Sequence, residues 1–180
     1  MNLQEKVALE IEPALVVKYK LPRLALPRIT KVTVSSGVGK IKESKDEMEN
    51  VAHEMAIIVG QKPKATVAKV SISGFKLRKG QVVGFAATLR GKKMFDFIER
   101  VINIVLPRSR EFEGIELKSF DQNGNFSIAI KEQMLFPEIK ADEIKQNWGM
   151  GITFSISNTS NKEILMEYLK AMGFIFKKEQ

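Results

Sequence analysis

Two patterns of apolar and polar residues divide most of the chain into predicted helices and strands. An apolar residue every third or fourth position predicts amphipathic helices, and four segments show this spacing: residues 2–20, 43–60, 92–106 and 161–172. Strict alternation predicts strands with one buried side, and four other segments show it: residues 29–36, 82–90, 125–131 and 150–157. Residues 64–70 are expected to add a short strand. The pattern therefore predicts an α+β protein.

Prolines and polar stretches set the expected ends of these elements. Pro13 interrupts the first helix, where we expect a kink or a break, and Pro107 is expected to stop the third helix. Residues 71–81 lack periodicity and are predicted to form a loop. Because the sequence contains neither a linker nor an internal repeat, it predicts one domain over residues 1–180, with helix 2–20 as an appendage.

The polar sides of the four alternating strands share one chemical character. Most of their side chains are short hydroxyl-bearing groups, with glycine, alanine and a few basic residues among them. These residues are Thr33, Ser35, Thr88, Arg90, Asn125, Ser127, Ala129, Lys131, Gly151, Thr153, Ser155 and Ser157. The alternation predicts a mixed or antiparallel concave sheet, with helices packed on one face and an open polar second face. Because these side chains are short, a phosphate–sugar backbone can approach the sheet closely and accept hydrogen bonds from it.

The distribution of charge indicates a polyanionic partner. The chain carries 29 Lys and Arg residues against 21 Asp and Glu residues, a net charge of +8. No acid lies between Glu54 and Asp96, a stretch that contains Lys62, Lys64, Lys69, Lys76, Arg78, Lys79, Arg90, Lys92 and Lys93. Such a stretch favours nucleic-acid binding, although a solvated basic face without a partner has the same composition. Because the open face lacks aromatic residues, it favours folded RNA over stacked single strands.

Several other chemistries are disfavoured. The chain has no cysteine and a single histidine, His53, so thiolate catalysis and Cys- or His-based metal clusters are excluded. The segment Gly37-Val38-Gly39-Lys40 lacks the first glycine and the magnesium-binding hydroxyl of a phosphate loop. The acidic residues Glu132, Glu138, Asp142 and Glu143 match no metal-loop spacing. We therefore expect no enzyme activity, cofactor, metal, small-molecule substrate or membrane partner.

Seven short segments together resemble one protein family. They are Gly60-Gln61-Lys62-Pro63, residues 71–80 (SISGFKLRKG), Thr88-Leu89-Arg90-Gly91, Leu106-Pro107-Arg108, Ser119-Phe120-Asp121, Lys131-Glu132-Gln133 and Phe136-Pro137-Glu138-Ile139. Their order and spacing, over about residues 3–176, resemble the bacterial-type ribosomal protein five of the large subunit, the family that binds 5S ribosomal RNA. The resemblance implies an α+β fold without enzyme activity. It also implies a structural role in the central protuberance, with large-subunit rRNA and neighbouring ribosomal proteins as further partners.

The resemblance also implies three contact regions on this chain. The 5S rRNA contacts correspond to Thr33, Ser35, Gln61, Lys62, Thr66, Thr88, Arg90, Lys92 and Lys93. A loop that contacts peptidyl-site transfer RNA corresponds to Ser73, Gly74, Phe75, Lys76, Leu77, Arg78, Lys79 and Gly80. An intersubunit bridge to a small-subunit head protein corresponds to Arg108, Arg110, Glu111, Glu113, Asp121 and Gln122. Most of these last residues lie inside the acidic segment 111–145, which suits a basic partner.

The chain departs from the family pattern at four positions. Ser35 replaces an asparagine, and Val67 and Val70 stand where basic residues are frequent. Trp148 stands where arginine is common, and we expect it to pack partly in the core. These changes predict weaker ionic contacts with RNA. Two alternatives stay open: a non-ribosomal RNA-binding or chaperone module, and an enzyme acting on RNA, for which the sequence shows no general base or metal cluster. The expected location is a cytoplasmic ribosome, with an organellar ribosome as the other possibility.

Overall fold

Helices and strands follow each other along the chain in the order that the sequence pattern predicts. The computed structural model describes residues 2–39, 44–75, 77–110, 112–140, 144, 146–158 and 161–177. Its helices are α1 (Leu3–Lys6), α2 (Glu12–Tyr19), α3 (Lys45–Val59), α4 (Gly91–Arg100), α5 (Leu106–Arg108) and α6 (Lys162–Met172). Its strands are β1 (Arg28–Gly37), β2 (Lys64–Val67), β3 (Val82–Leu89), β4 (Phe126–Ile130) and β5 (Met150–Ser157). The predicted α+β class is confirmed.

The strands form an open antiparallel sheet in the order β2-β3-β1-β5-β4. Strand β2 pairs with β3 in a register that places Thr66 opposite Gly84, and a bulge follows between Thr66 and Val67. A Cβ atom at Gly84 would lie 2.6 Å from the Ser36 carbonyl oxygen and 3.0 Å from Thr66 Oγ1. Only glycine therefore allows the backbones to approach this closely.

Alternating burial confirms most of the predicted inward and outward positions. Buried and accessible residues alternate along the whole of β4 and β5, as the sequence predicts. Strand β3 differs, because Val83 and Phe85 are only half-buried while Ala87 and Leu89 are buried. The predicted inward orientation therefore holds fully only for the second half of β3, beyond the close approach at Gly84.

The described residues belong to two compact units. Unit one comprises Met1–Val32, Leu89–Ile128 and Thr153–Gln180, and unit two comprises Thr33–Thr88 and Ala129–Ile152. That the chain forms a single domain stays a prediction. Among the described residues, no helix has the length and apolar composition required to cross a bilayer.

The core of unit one is built from apolar helix faces and a group of phenylalanines. Helix α1 contacts α4, and α2 contacts α6. The rings of Phe126 and Phe154 stack with centroids 4.5 Å apart, and the ring of Phe174 meets both edge-on. At the rim, Lys18 Nζ and the Tyr19 hydroxyl each donate a hydrogen bond of 2.6 Å to the Glu167 carboxylate. These bonds tie α2 to α6.

Two wide helical turns in unit one precede its helical prolines. A π-helical stretch, Val7–Ile11, joins α1 to α2 ahead of Pro13, and another, Val101–Val105, joins α4 to α5 ahead of Pro107. A proline ring clashes with the carbonyl four residues earlier in an α-helix, and a five-residue spacing relieves that clash. The chain therefore has no break at Pro13, where we expected a kink or a break, and the third helix ends at Arg108, one residue after the expected stop at Pro107.

Helix α3 lies in unit two and confirms the helix predicted over residues 43–60. The Ser44 side chain accepts a hydrogen bond from the N–H group of Glu47 and caps the start of the helix, and Gly60 ends it with a φ of +72°. Both are favoured terminal residues for these conformations. Met55 and Ile58 on the inner side of α3 are completely buried. The helix therefore buries its apolar side in unit two.

Candidate nucleic-acid interface

Four hydroxyl groups on the polar side of unit two are available to a ligand. Thr33 and Ser35 lie on β1, Thr66 on β2 and Thr88 on β3, and each of these residues is exposed or half-exposed. Within the described part of the chain, none of their hydroxyls makes a side-chain hydrogen bond. Each hydroxyl can therefore both donate and accept a hydrogen bond. The predicted open polar face is accessible along these strands.

Several hydroxyls of unit one on the same side of the strands are already used. Ser127 Oγ and Thr153 Oγ1 lie 2.9 Å apart and bond to each other. Thr30 Oγ1 donates to the Ser155 carbonyl over 3.1 Å, and Ser157 Oγ donates to the backbone of β1 over 3.3 Å. These hydroxyls hold neighbouring strands together. The predicted contact residues Thr33 and Ser35 therefore belong to the part of the face with unused hydroxyl groups.

Gln61 is held in place by the turn that ends α3. The left-handed conformation of Gly60 directs the chain away from the helix, and Gln61 Nε2 then donates a hydrogen bond of 2.9 Å to the Thr88 carbonyl. Lys62 follows and is exposed. The structure therefore places Gln61 beside Thr88, as a shared contact region requires.

The start of α4 concentrates positive charge in unit one. Arg90 is the N-cap residue, but its side chain makes no capping hydrogen bond, and the first turn of the helix contains no acidic residue. Lys92 and Lys93 are exposed there, and Arg90 Nη1 lies 3.5 Å from the Thr30 carbonyl oxygen. Cations at a helix N-terminus oppose the helix dipole by about 0.3–1 kcal/mol each. A phosphate group at this end would relieve that repulsion and accept hydrogen bonds from the first N–H groups.

Residues 67–75 and 77–82, which we call the hairpin, are held together by backbone hydrogen bonds in unit two. The N–H group of Ala68 donates to the Gln81 carbonyl over 2.8 Å, and the N–H group of Gly80 donates to the Ala68 carbonyl over 2.9 Å. Ile72 and Leu77 exchange two backbone hydrogen bonds of 3.0 and 3.1 Å. The loop predicted over residues 71–81 contains no strand or α-helix among its described residues, but these hydrogen bonds define its backbone. Its periodicity is absent because most of its described side chains are exposed.

The predicted transfer-RNA contacts lie at the end of the hairpin. Ser73, Gly74, Arg78, Lys79 and Gly80 are exposed, and Leu77 is half-buried. A short 3₁₀ turn, Ser73–Phe75, forms the tip, while Lys76 lies outside the described residues. The backbone beside the tip is fixed, because the N–H group of Lys79 donates to Ser71 Oγ over 2.9 Å. The described cations of the tip thus project from a defined backbone.

Some of the predicted bridge residues make ion pairs or hydrogen bonds within unit one. Lys177 Nζ lies 2.6 Å from a Glu113 carboxylate oxygen, and this contact holds the pKa of Glu113 below its usual range. Asp121 accepts hydrogen bonds of 2.8 Å from the N–H groups of Asn123 and Asn125. Arg108, Arg110 and Gln122 are exposed or half-exposed, and Glu111 lies outside the described residues. Sequence reasoning missed Lys177, since only the folded chain brings it to this segment.

The described residues also include the single histidine and the single tryptophan of the chain. Groups of His, Cys, Asp and Glu that could hold a metal ion are absent from the part of the chain that the structure describes, and Asp142 and Glu143 lie outside it. His53 is exposed on α3. Trp148 is buried, as predicted, and its Nε1 atom donates to Glu54 over 2.6 Å. That bond joins residues 94 positions apart, so no local pattern could predict it.

Comparison with known proteins gives matches over nearly the whole chain. Residues 24–78 match the family described as ribosomal protein L5, and residues 82–176 match the C-terminus of the same ribosomal family. The chain is 40% identical to the large ribosomal subunit protein uL5 of Ruminiclostridium cellulolyticum over 97% of both chains. It is also 40% identical to the proteins of the same name from Alkaliphilus metalliredigens and Streptococcus pyogenes, over 98% of this chain and 99% and 98% of theirs. These names describe ribosomal proteins and not enzymes, as predicted.

Proposed function

Because the chain belongs to the ribosomal protein L5 family, we propose that it is a structural component of the large ribosomal subunit that binds 5S rRNA. It would help to seat that RNA in the central protuberance, beside large-subunit rRNA and neighbouring ribosomal proteins. Its bacterial relatives favour a ribosome in the cytoplasm. Family membership supports the ribosomal role, while the residues that contact RNA have to be argued from this chain's own surface.

One observation carries the assignment of the RNA surface. The unused hydroxyls of Thr33, Ser35, Thr66 and Thr88 belong to a unit whose chain from residue 55 to residue 88 contains no acid. Short hydroxyl side chains let a folded RNA approach the strands and offer partners to its phosphates and 2′-hydroxyl groups. A sheet that faces only solvent would tolerate carboxylates here as well as hydroxyls. The absence of acidic residues from this stretch therefore favours an anionic partner.

Phosphate neutralisation would supply most of the affinity. Arg90, Lys92 and Lys93 at the start of α4 in unit one, and Lys62 in unit two, are the proposed cationic contacts. With roughly six to ten phosphate contacts in all, binding should weaken about 10³–10⁵-fold between about 50 and 200 mM salt. Selectivity would come from the shape of the folded RNA, since the described surface offers hydroxyls in place of stacking aromatics.

Two further contacts follow from the family. The hairpin tip, with Arg78 and Lys79 on a fixed backbone, would contact peptidyl-site transfer RNA. The segment from Arg108 to Gln122 would contact a basic protein of the small-subunit head, through exposed carboxylates such as those of Glu113 and Asp121. Both contacts are surface features that require no further folding of the described backbone.

Binding to purified 5S rRNA tests the proposal. A filter-binding series should show tight binding to 5S rRNA, weaker binding to an RNA duplex of equal length, and a steep salt dependence for both. Equal affinity for the two RNAs would contradict a 5S-specific surface. Co-sedimentation with large subunits separates the ribosomal role from a free RNA chaperone, which would bind RNA without residing on the particle.

A further inference from the structure

One arm of the hairpin exposes apolar side chains to solvent. Val67, Val70 and Ile72 lie within six consecutive residues and are 52%, 68% and 46% exposed. Backbone pairing fixes this arm at both ends, through Val67 opposite Val82 and Ile72 opposite Leu77. These side chains therefore stay at the surface of an ordered element, where a binding partner can cover them.

We propose that Val67, Val70 and Ile72 pack against an unstacked base and its ribose in a loop of 5S rRNA. This inference rests on the proposed function, and it adds an apolar contact to a surface so far described by hydroxyls and charges. Unstacked loop bases are the part of a folded RNA that a protein can reach from the side. Covering exposed valine and isoleucine side chains would strengthen binding without involving any counterion.

Charge around the arm favours RNA over a protein segment. Lys64, Lys69, Arg78 and Lys79 are exposed on β2 and on the hairpin, and the chain has no acid from residue 55 to residue 95. The phosphates on either side of a bound base would meet these cations. A protein partner would need an apolar centre within an acidic rim, and a test on purified components distinguishes it from RNA.

The position of the arm selects 5S rRNA as the source of the base. Val67 directly follows Thr66 on β2, and β2 pairs with the segment of β3 that leads to Thr88. The apolar arm thus continues the strand that carries a proposed 5S rRNA contact.

A charge-neutral double substitution tests the proposal. Val67→Thr together with Val70→Thr keeps the branched shape that suits an extended backbone and removes part of the apolar surface. We expect about tenfold weaker binding to purified 5S rRNA at every salt concentration, with an unchanged slope of log affinity against log salt. Ile175→Thr, at a 60% exposed position of unit one, is the matched control and should bind as the unchanged protein does.

The outcomes separate this inference from the proposed function. Unchanged 5S rRNA binding by the double variant would overturn the apolar contact, as would an equal loss in the Ile175→Thr control. A loss seen only with transfer RNA would also overturn it, because the arm would then serve the other RNA. Failure of the unchanged protein to bind 5S rRNA would instead refute the proposed function itself. Thermal unfolding of each variant verifies that its fold is intact.

Discussion

The substitution Arg90→Ala tests whether this side chain contacts an RNA phosphate or only stabilises the fold. Within the protein, Arg90 Nη1 lies 3.5 Å from the Thr30 carbonyl oxygen, which is at the outer limit of a hydrogen bond. Because the side chain is also exposed, its removal should change the free energy of unfolding by less than about 0.5 kcal/mol. Any larger effect of the substitution must therefore arise in the complex with RNA.

The expected loss in the complex follows from the chemistry of the contact. A guanidinium group that donates to phosphate makes a charge-assisted hydrogen bond, and its removal should weaken binding by about 1–3 kcal/mol. This corresponds to a roughly 5- to 160-fold increase in Kd for 5S rRNA. Since one phosphate contact is lost, the slope of log affinity against log salt should become shallower by about one unit.

Filter binding over a salt series measures both quantities. Arg110→Ala is the matched control, because Arg110 is an exposed arginine of the same unit that belongs to the predicted bridge segment. It should leave 5S rRNA binding unchanged. The reasoning would be refuted if Arg90→Ala bound as tightly as the unchanged protein, or if both arginine variants lost the same affinity and the same salt slope.

Three further substitutions test other parts of the account. Arg78→Ala at the hairpin tip should weaken binding to transfer RNA severalfold while 5S rRNA binding is retained, and an equal loss of both would contradict two separate surfaces. Trp148→Phe removes the donor to the α3 carboxylate and should lower the free energy of unfolding by about 1–3 kcal/mol, measured as a lower urea midpoint at constant m. Hydrogen bonds from Lys18 and Tyr19 hold the pKa of Glu167 below its ordinary value near 4.5, so their stabilisation is complete above that value and disappears as the pH falls through the lowered pKa. Acidification from about pH 6 to about pH 3 should therefore cost the unchanged protein more stability than Glu167→Gln, and equal losses would exclude this linkage.

The sequence predicts those elements that bury one side. In β4 and β5 every second residue enters the core, so alternation reveals both strands and their inner faces. The hairpin has no such inner face, and its pairing of Ile72 with Leu77 therefore produced no periodic signal. At Pro107 the helix extends one residue further than predicted, because the wider turn ahead of it accommodates the ring.

The use of each hydroxyl could not be predicted from the chain alone. Residues on the polar side of the strands are chemically alike, and alternation assigns them all to one face. The hydrogen bond from Thr30 to Ser155 joins positions 125 residues apart, so it depends on the register between β1 and β5. Only that register distinguishes the engaged Thr30 hydroxyl from the unengaged hydroxyl of Ser35 on the same strand.

Protection of a single thiol at position 35 tests the central claim most directly. The chain has no cysteine, so Ser35→Cys introduces a unique thiol on the accessible side of β1, and Ser109→Cys provides a control beyond α5. The rate of alkylation is measured for each variant alone and saturated with 5S rRNA. The account predicts strong protection at position 35 and none at position 109. Equal alkylation at position 35 in the free protein and in the saturated complex would contradict it.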